Sequence, residues 1–134
     1  MDQLIEKVSS YFGNQKDVIA VYLYGSYASG KQVPFSDMDI GVILHEKVLM
    51  NADAFQLNAM TELSRIVRKD VHLIILNHAS EQLLHQVFLK GRCIFFKDKK
   101  KMALFRMRAF TKIADFEYHK KKMQLGLLNR ITGI

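Results

Sequence analysis

Tyr24-Gly25-Ser26-Tyr27-Ala28-Ser29-Gly30, then Lys31-Gln32-Val33-Pro34-Phe35, then Ser36-Asp37-Met38-Asp39-Ile40-Gly41-Val42, is the stretch that decides the fold. Apolar residues precede it, from Val18 to Tyr24, and follow its acids, from Ile40 to Leu44, so each half reads as part of a strand. Strand side chains alternate between faces, so Asp37 and Asp39, two apart, point the same way. Two carboxylates at that spacing can share divalent cations, which phosphoryl-transfer chemistry requires. Gly25 and Ser26, leaving a strand for a helical turn, can offer backbone N–H groups and a hydroxyl to phosphate oxygens.

Each piece alone has an ordinary explanation: Asp-x-Asp also describes a solvated strand end, and Gly-Ser a plain turn. The whole arrangement is far more specific. Gly25, Ser26, Ala28, Gly30, Ser36, Asp37 and Asp39, with ten residues between Ser26 and Asp37, resemble the signature of the polymerase-beta-type nucleotidyltransferases. The spacing is most similar to the minimal, MNT-type branch, the antitoxins of HEPN/MNT toxin–antitoxin pairs, over residues 15 to 97. The resemblance implies an α/β (α+β) fold, a small mixed sheet flanked by helices.

It also implies a site. Gly25, Ser26 and Ser36 would bind the nucleotide, and Asp37 and Asp39 would be the first two of three carboxylates holding Mg2+. The third acid of the family sits in a neighbouring strand, where this chain reads Lys69-Asp70-Val71-His72-Leu73-Ile74-Ile75-Leu76. Aligned through Leu76-Asn77, His72 occupies the family position, and Asp70, two residues earlier, could stand in as catalytic and metal-binding acid. Magnesium prefers oxygen ligands, which favours Asp70; a strand histidine otherwise reads as a hydrogen-bonded structural residue.

The remaining chain agrees with one domain. At 134 residues it can build one core but no second substrate domain. With 49% hydrophobic and 25% charged residues the composition is that of a globular protein, and no apolar run approaches the ~20 residues of a membrane span. The N-terminus lacks the pattern of a signal peptide, so a cytoplasmic location is expected. A lone cysteine, Cys93, excludes an internal disulfide or cysteine zinc site, and Arg92-Cys93-Ile94-Phe95-Phe96 reads as a buried strand with core aromatics.

Helices are expected near Leu4–Phe12, from an Asn51 cap to Lys69, from a Ser80 cap to Gly91, and over Lys99–Ile131. Asp70–Leu76 and Arg92–Phe96 read as strands. Pro34 lies in a loop able to fold over a nucleotide, and Gly41 either leaves room near a metal or serves packing. The long last helix carries two apolar ridges, Met102-Phe105-Ala109-Ile113-Phe116 and Ala103-Met107-Phe110-Ala114-Tyr118. Together they are wider than a core-facing stripe of about 100°, so part of this face is available to another protein.

The net charge of +7 suits an acidic partner, and 12 of the 20 basic residues lie between Lys90 and Lys122. No aromatic-and-basic RNA-binding motif accompanies them, so direct nucleic-acid binding is not expected. The resemblance implies transfer of AMP from ATP to a hydroxyl, a tyrosine, of a cognate HEPN ribonuclease toxin. Two alternatives stand beside it. A small-molecule nucleotidyltransferase would need an added helical domain or dimer partner for its acceptor. A non-catalytic antitoxin would neutralise by binding alone, and His72 in place of an acid favours that reading.

Overall fold

A computed structural model describes residues 2–32 and 36–133; the expectation for Pro34 falls outside them. The elements run α1 (Asp2–Gly13), β1 (Val18–Tyr24), α2 (Ser26–Ser29), β2 (Met38–Leu44), α3 (Ala52–Val67), β3 (Val71–Ile75), α4 (Glu81–Lys90), β4 (Arg92–Phe96) and α5 (Lys99–Thr132). Short 3-10 turns at Glu46–Asn51 and Leu76–His78 link β2 to α3 and β3 to α4. The strands form one sheet in the order β3-β2-β1-β4, with β1 antiparallel to β2 and β4, and β2 parallel to β3.

β1 is the middle of this arrangement, and its seven residues are all buried. That is why Val18–Tyr24 is apolar throughout rather than alternating. Val21 and Leu23 join Met38, Ile40, Val42 and Leu44 in a core closed by α1 and α3, with Val8, Phe12, Ala59 and Leu63 among its members. Ala20, Tyr22 and Tyr24 face the other way, with Ile43, into a second core closed by α4 and α5 through Leu84, Val87, Ala109 and Ile113. Phe12 is fully buried, and truncating such a side chain costs about 3–5 kcal/mol.

Ser80 caps α4, accepting from the Leu83 N–H at 3.2 Å, and Asp98 caps α5, accepting from the Lys101 N–H at 3.0 Å. Asn51 precedes α3 as expected but makes no side-chain capping bond, because the chain arrives through a 3-10 turn. The expectation for β4 is corrected: it is an edge strand with incomplete cover, so Cys93 is exposed and Phe96 is 50% exposed. Gly41 serves packing, since a Cβ there would press on Leu76 Cδ2 at 2.9 Å.

At 34 residues, α5 is about 51 Å long. Only its first half has anything to cover. Ala109 and Ile113 are buried, and Met102 and Phe105 pack against the second core. The other ridge is exposed at Met107, Phe110 and Tyr118, and from Tyr118 to Gly133 every residue is exposed. Among the described residues no helix is long and apolar enough to cross a membrane.

Candidate active site

The register of the sheet assembles the site. Asp39 on β2 lies opposite Tyr24, the last residue of β1, and on its other side it pairs with His72 of β3. Met38 and Ile40 point into the α1/α3 core, so alternation turns Asp39 to the opposite face, as it does His72 between buried Val71 and Leu73. Asp37 precedes the strand, and its Oδ2 lies 3.2 Å from His72 Nε2, both side chains being about half exposed or more. The start of β2 is fixed by the Met38 N–H donating to the Asp70 carbonyl at 2.9 Å.

The turn after β1 closes on the same carboxylate. Gly25 has φ 73° and ψ −148°, a conformation that essentially only glycine adopts. A Cβ at Gly25 would overlap Asp39 Oδ2, so the missing side chain is what lets the backbone approach the acid. Ser26–Ser29 then makes one helical turn, stopped by Gly30 at φ 75°. Within it the Ser29 N–H donates to the Gly25 carbonyl and the Lys31 N–H to the Ser26 carbonyl. Tyr27 is buried beneath the turn, its ring 5.6 Å from Lys69 Nζ. Gly25 and Ser26 therefore stand beside Asp39, and Ser36 immediately precedes Asp37.

Burial pushes the Asp39 carboxyl above its ordinary range, His72 opposes that shift, and the neighbouring charge of Asp37 adds to it. Tyr24 is pushed up to about 12, first by burial and then by the charge of Asp39. Asp39 and Tyr24 thus sit partly buried at one end of the two central strands, with Asp37 and His72 beside Asp39.

His72 and Asp70 line one shallow depression but stand differently toward Asp39. The register sets His72 beside Asp39, whereas Asp70 lies one step before β3, exposed, in a shallow depression shared with Thr61 and Ser64 of α3. Among the described residues no group of three His, Cys, Asp or Glu side chains is gathered to hold a metal ion. Two carboxylates do fit a magnesium ion that takes its other oxygens from substrate phosphates and water, which is its usual mode of binding. The contact of His72 with Asp37 was not read from the sequence; the parallel pairing of β2 with β3 was the missing information. Tyr24 was likewise visible only as the residue before the glycine.

Residues 6–100 match the family described as Polymerase beta, Nucleotidyltransferase. The chain belongs to the polymerase-beta nucleotidyltransferase family. Its fold is similar to that of a solved toxin–antitoxin structure with AMP-PNP, at TM-score 0.75 and 22% identity over 92% of this chain and 98% of that one. It is also similar to a chain of the tri-AMPylated Shewanella oneidensis HEPN toxin in complex with MNT antitoxin (TM-score 0.70, 22% identity, 96% and 99% coverage). A chain of the MntA–HepT toxin–antitoxin structure gives TM-score 0.71 at 19% identity, with 96% and 99% coverage. At these identities the likeness is one of fold. No curated protein matches the chain.

Proposed function

We propose that this nucleotidyltransferase is an antitoxin that transfers AMP from ATP to a tyrosine hydroxyl of a cognate HEPN toxin and thereby silences it. The observation that carries the reading is the closure of the Gly25 turn on Asp39, with Asp37 beside it. The turn brings the Gly25 backbone against Asp39, and from there backbone N–H groups and the Ser26 hydroxyl would hold phosphate oxygens that meet the carboxylates around a shared cation. Similarity along nearly the full length of chains from AMP-PNP-bound and AMPylated toxin–antitoxin complexes supports the substrate and the partner.

Asp37 and Asp39 would hold magnesium, and Asp70 is the proposed third acid, one residue before the Met38–Val71 pair just as Asp37 is on the β2 side. Bound there, magnesium would neutralise the triphosphate and lower the pKa of the attacking hydroxyl. His72 keeps the Asp37 carboxylate oriented. In the transfer, the tyrosine oxygen bonds to the α-phosphorus as the bond to pyrophosphate breaks, and the hydroxyl proton passes to a carboxylate of the set. Gly25, Ser26 and Ser36 position the phosphates for in-line displacement. The exposed ridge and free end of α5 offer the docking surface for the toxin, which completes the cleft from outside.

A second reading, an antitoxin that neutralises by binding without chemistry, is favoured by one observation: the strand position beside Asp39 holds His72 rather than an acid. Incubating the chain with α-labelled ATP, magnesium and its toxin separates the two. Label on the toxin, lost with Asp37→Asn or Asp39→Asn, supports the transferase; neutralisation without label refutes it.

A further inference from the structure

At the far end of the sheet from Asp39, some 16 Å along β1 from Tyr24 to Ile19, lies a cavity of about 380 Å³ between the end of β2 and the start of α5. Its apolar wall is made by Ile43, Leu104 and Phe105, and its rim carries Lys47, Lys101 and Arg108. One acid faces them. Glu46 stands 3.6 Å from Arg108, but both side chains are largely exposed, and such a pair is held weakly. Asp98 lies near but is engaged, capping α5 through the Lys101 N–H. Lys101 Nζ instead lies 3.3 Å from His45 Nδ1, a neutral acceptor. Burial lowers the His45 pKa, Lys101 and Lys47 lower it further, and the nearby carboxylates of Asp98 and Asp17 oppose them without reversing the shift. The Asn77 side chain, also on the wall, is used by Leu44, donating to its carbonyl and accepting from its N–H.

On the cavity lining itself three cations stand against one loosely held acid, with Asp98 and Asp17 near His45 behind them, and the cations line the same cavity as an apolar wall that includes an aromatic ring. We infer that the cavity is a second ligand site, for a phosphate monoester carrying a planar ring, of mononucleotide size. The volume falls in the range of small-molecule pockets, about 300–1,000 Å³. A guanidinium and two ammonium groups suit a phosphate dianion, with Arg108 able to bind two of its oxygens at once. Phe105 and Leu104 would take the ring. The site shares no residue with the Asp37/Asp39 cluster and does not depend on the transferase reading.

AMP and inorganic phosphate are the probes, titrated separately into the chain in excess chelator while backbone amide shifts are followed by NMR. AMP should cause saturable shifts over Leu44–Lys47 and Lys101–Arg108 and bind more tightly than inorganic phosphate. Lys101→Gln with Arg108→Gln should weaken it by about tenfold or more, since two charge-assisted contacts are lost. Both side chains are exposed, so thermal unfolding should be unchanged. Lys47→Gln, on the 3-10 turn, is a second variant and should weaken binding on its own. Shifts confined to Gly25–Gly30, equal affinity for AMP and phosphate, or binding indifferent to all these substitutions would overturn the proposal.

Discussion

Gly25→Ala should damage the site and the fold by separable amounts. The residue sits at φ 73° and ψ −148°, where an L side chain is strained, and holding one there costs about 1–3 kcal/mol. The added Cβ would also overlap Asp39 Oδ2, so the carboxylate oxygen must retreat by roughly 1 Å to reach van der Waals separation. A displacement of that size in a reacting assembly costs about 10²-fold in rate. Gly30→Ala is the control. It has a similar φ of 75°, but a Cβ there meets nothing within 4 Å, so it should cost about 1–2 kcal/mol and leave transfer nearly untouched. Urea unfolding followed by circular dichroism gives the stability loss, and transfer from α-labelled ATP gives the rate. If Gly25→Ala and Gly30→Ala lose activity equally, or Gly25→Ala loses none, the closure of the turn on Asp39 is not what organises the site.

Three further outcomes follow from the same geometry. Because the folded pKa of Asp39 is raised above its ordinary 3.8, the native state holds that proton more tightly. Its ionisation therefore removes stability as pH rises from the unfolded value through the folded one. Asp39→Asn should be at least as stable as the native chain at pH 7 and lose this advantage near pH 3, while transferring no AMP; unfolding curves at both pH values check it. Asp70→Ala should reduce transfer more than His72→Ala, and His72→Asp should raise it; full activity of Asp70→Ala with a dead His72→Ala would reverse the roles. Ending the chain after Tyr118 removes only exposed residues among those described, so the melting temperature should hold, whereas pull-down of the toxin should fail.

Much of the fold was legible because its elements carry strong periodicity. The continuous apolar run Val18–Tyr24 marks a strand buried on both faces, and the alternation after Asp39 marks one that sends its acid away from Ile40 and Val42. α5 could be read at nearly full length, and its surplus apolar ridge is the one left exposed. The failures have physical reasons. A short apolar run such as Arg92–Phe96 does not say whether its strand is central or at an edge, so Cys93 and Phe96 were expected inside and lie outside. The 3-10 turn at Glu46–Asn51 is too short to have a period. Asp70 and His72 share a strand parity in sequence, but β3 begins at Val71, and only the parallel register shows which one stands beside Asp39.

Mass spectrometry of the cognate toxin, made with and without this chain, tests the central claim most directly. The account predicts AMP on a toxin tyrosine and no ribonuclease activity when the native chain is present, and an unmodified, active toxin when Asp39→Asn replaces it. A toxin that is silenced by the native chain yet carries no AMP, or that is silenced equally by Asp39→Asn, would contradict it.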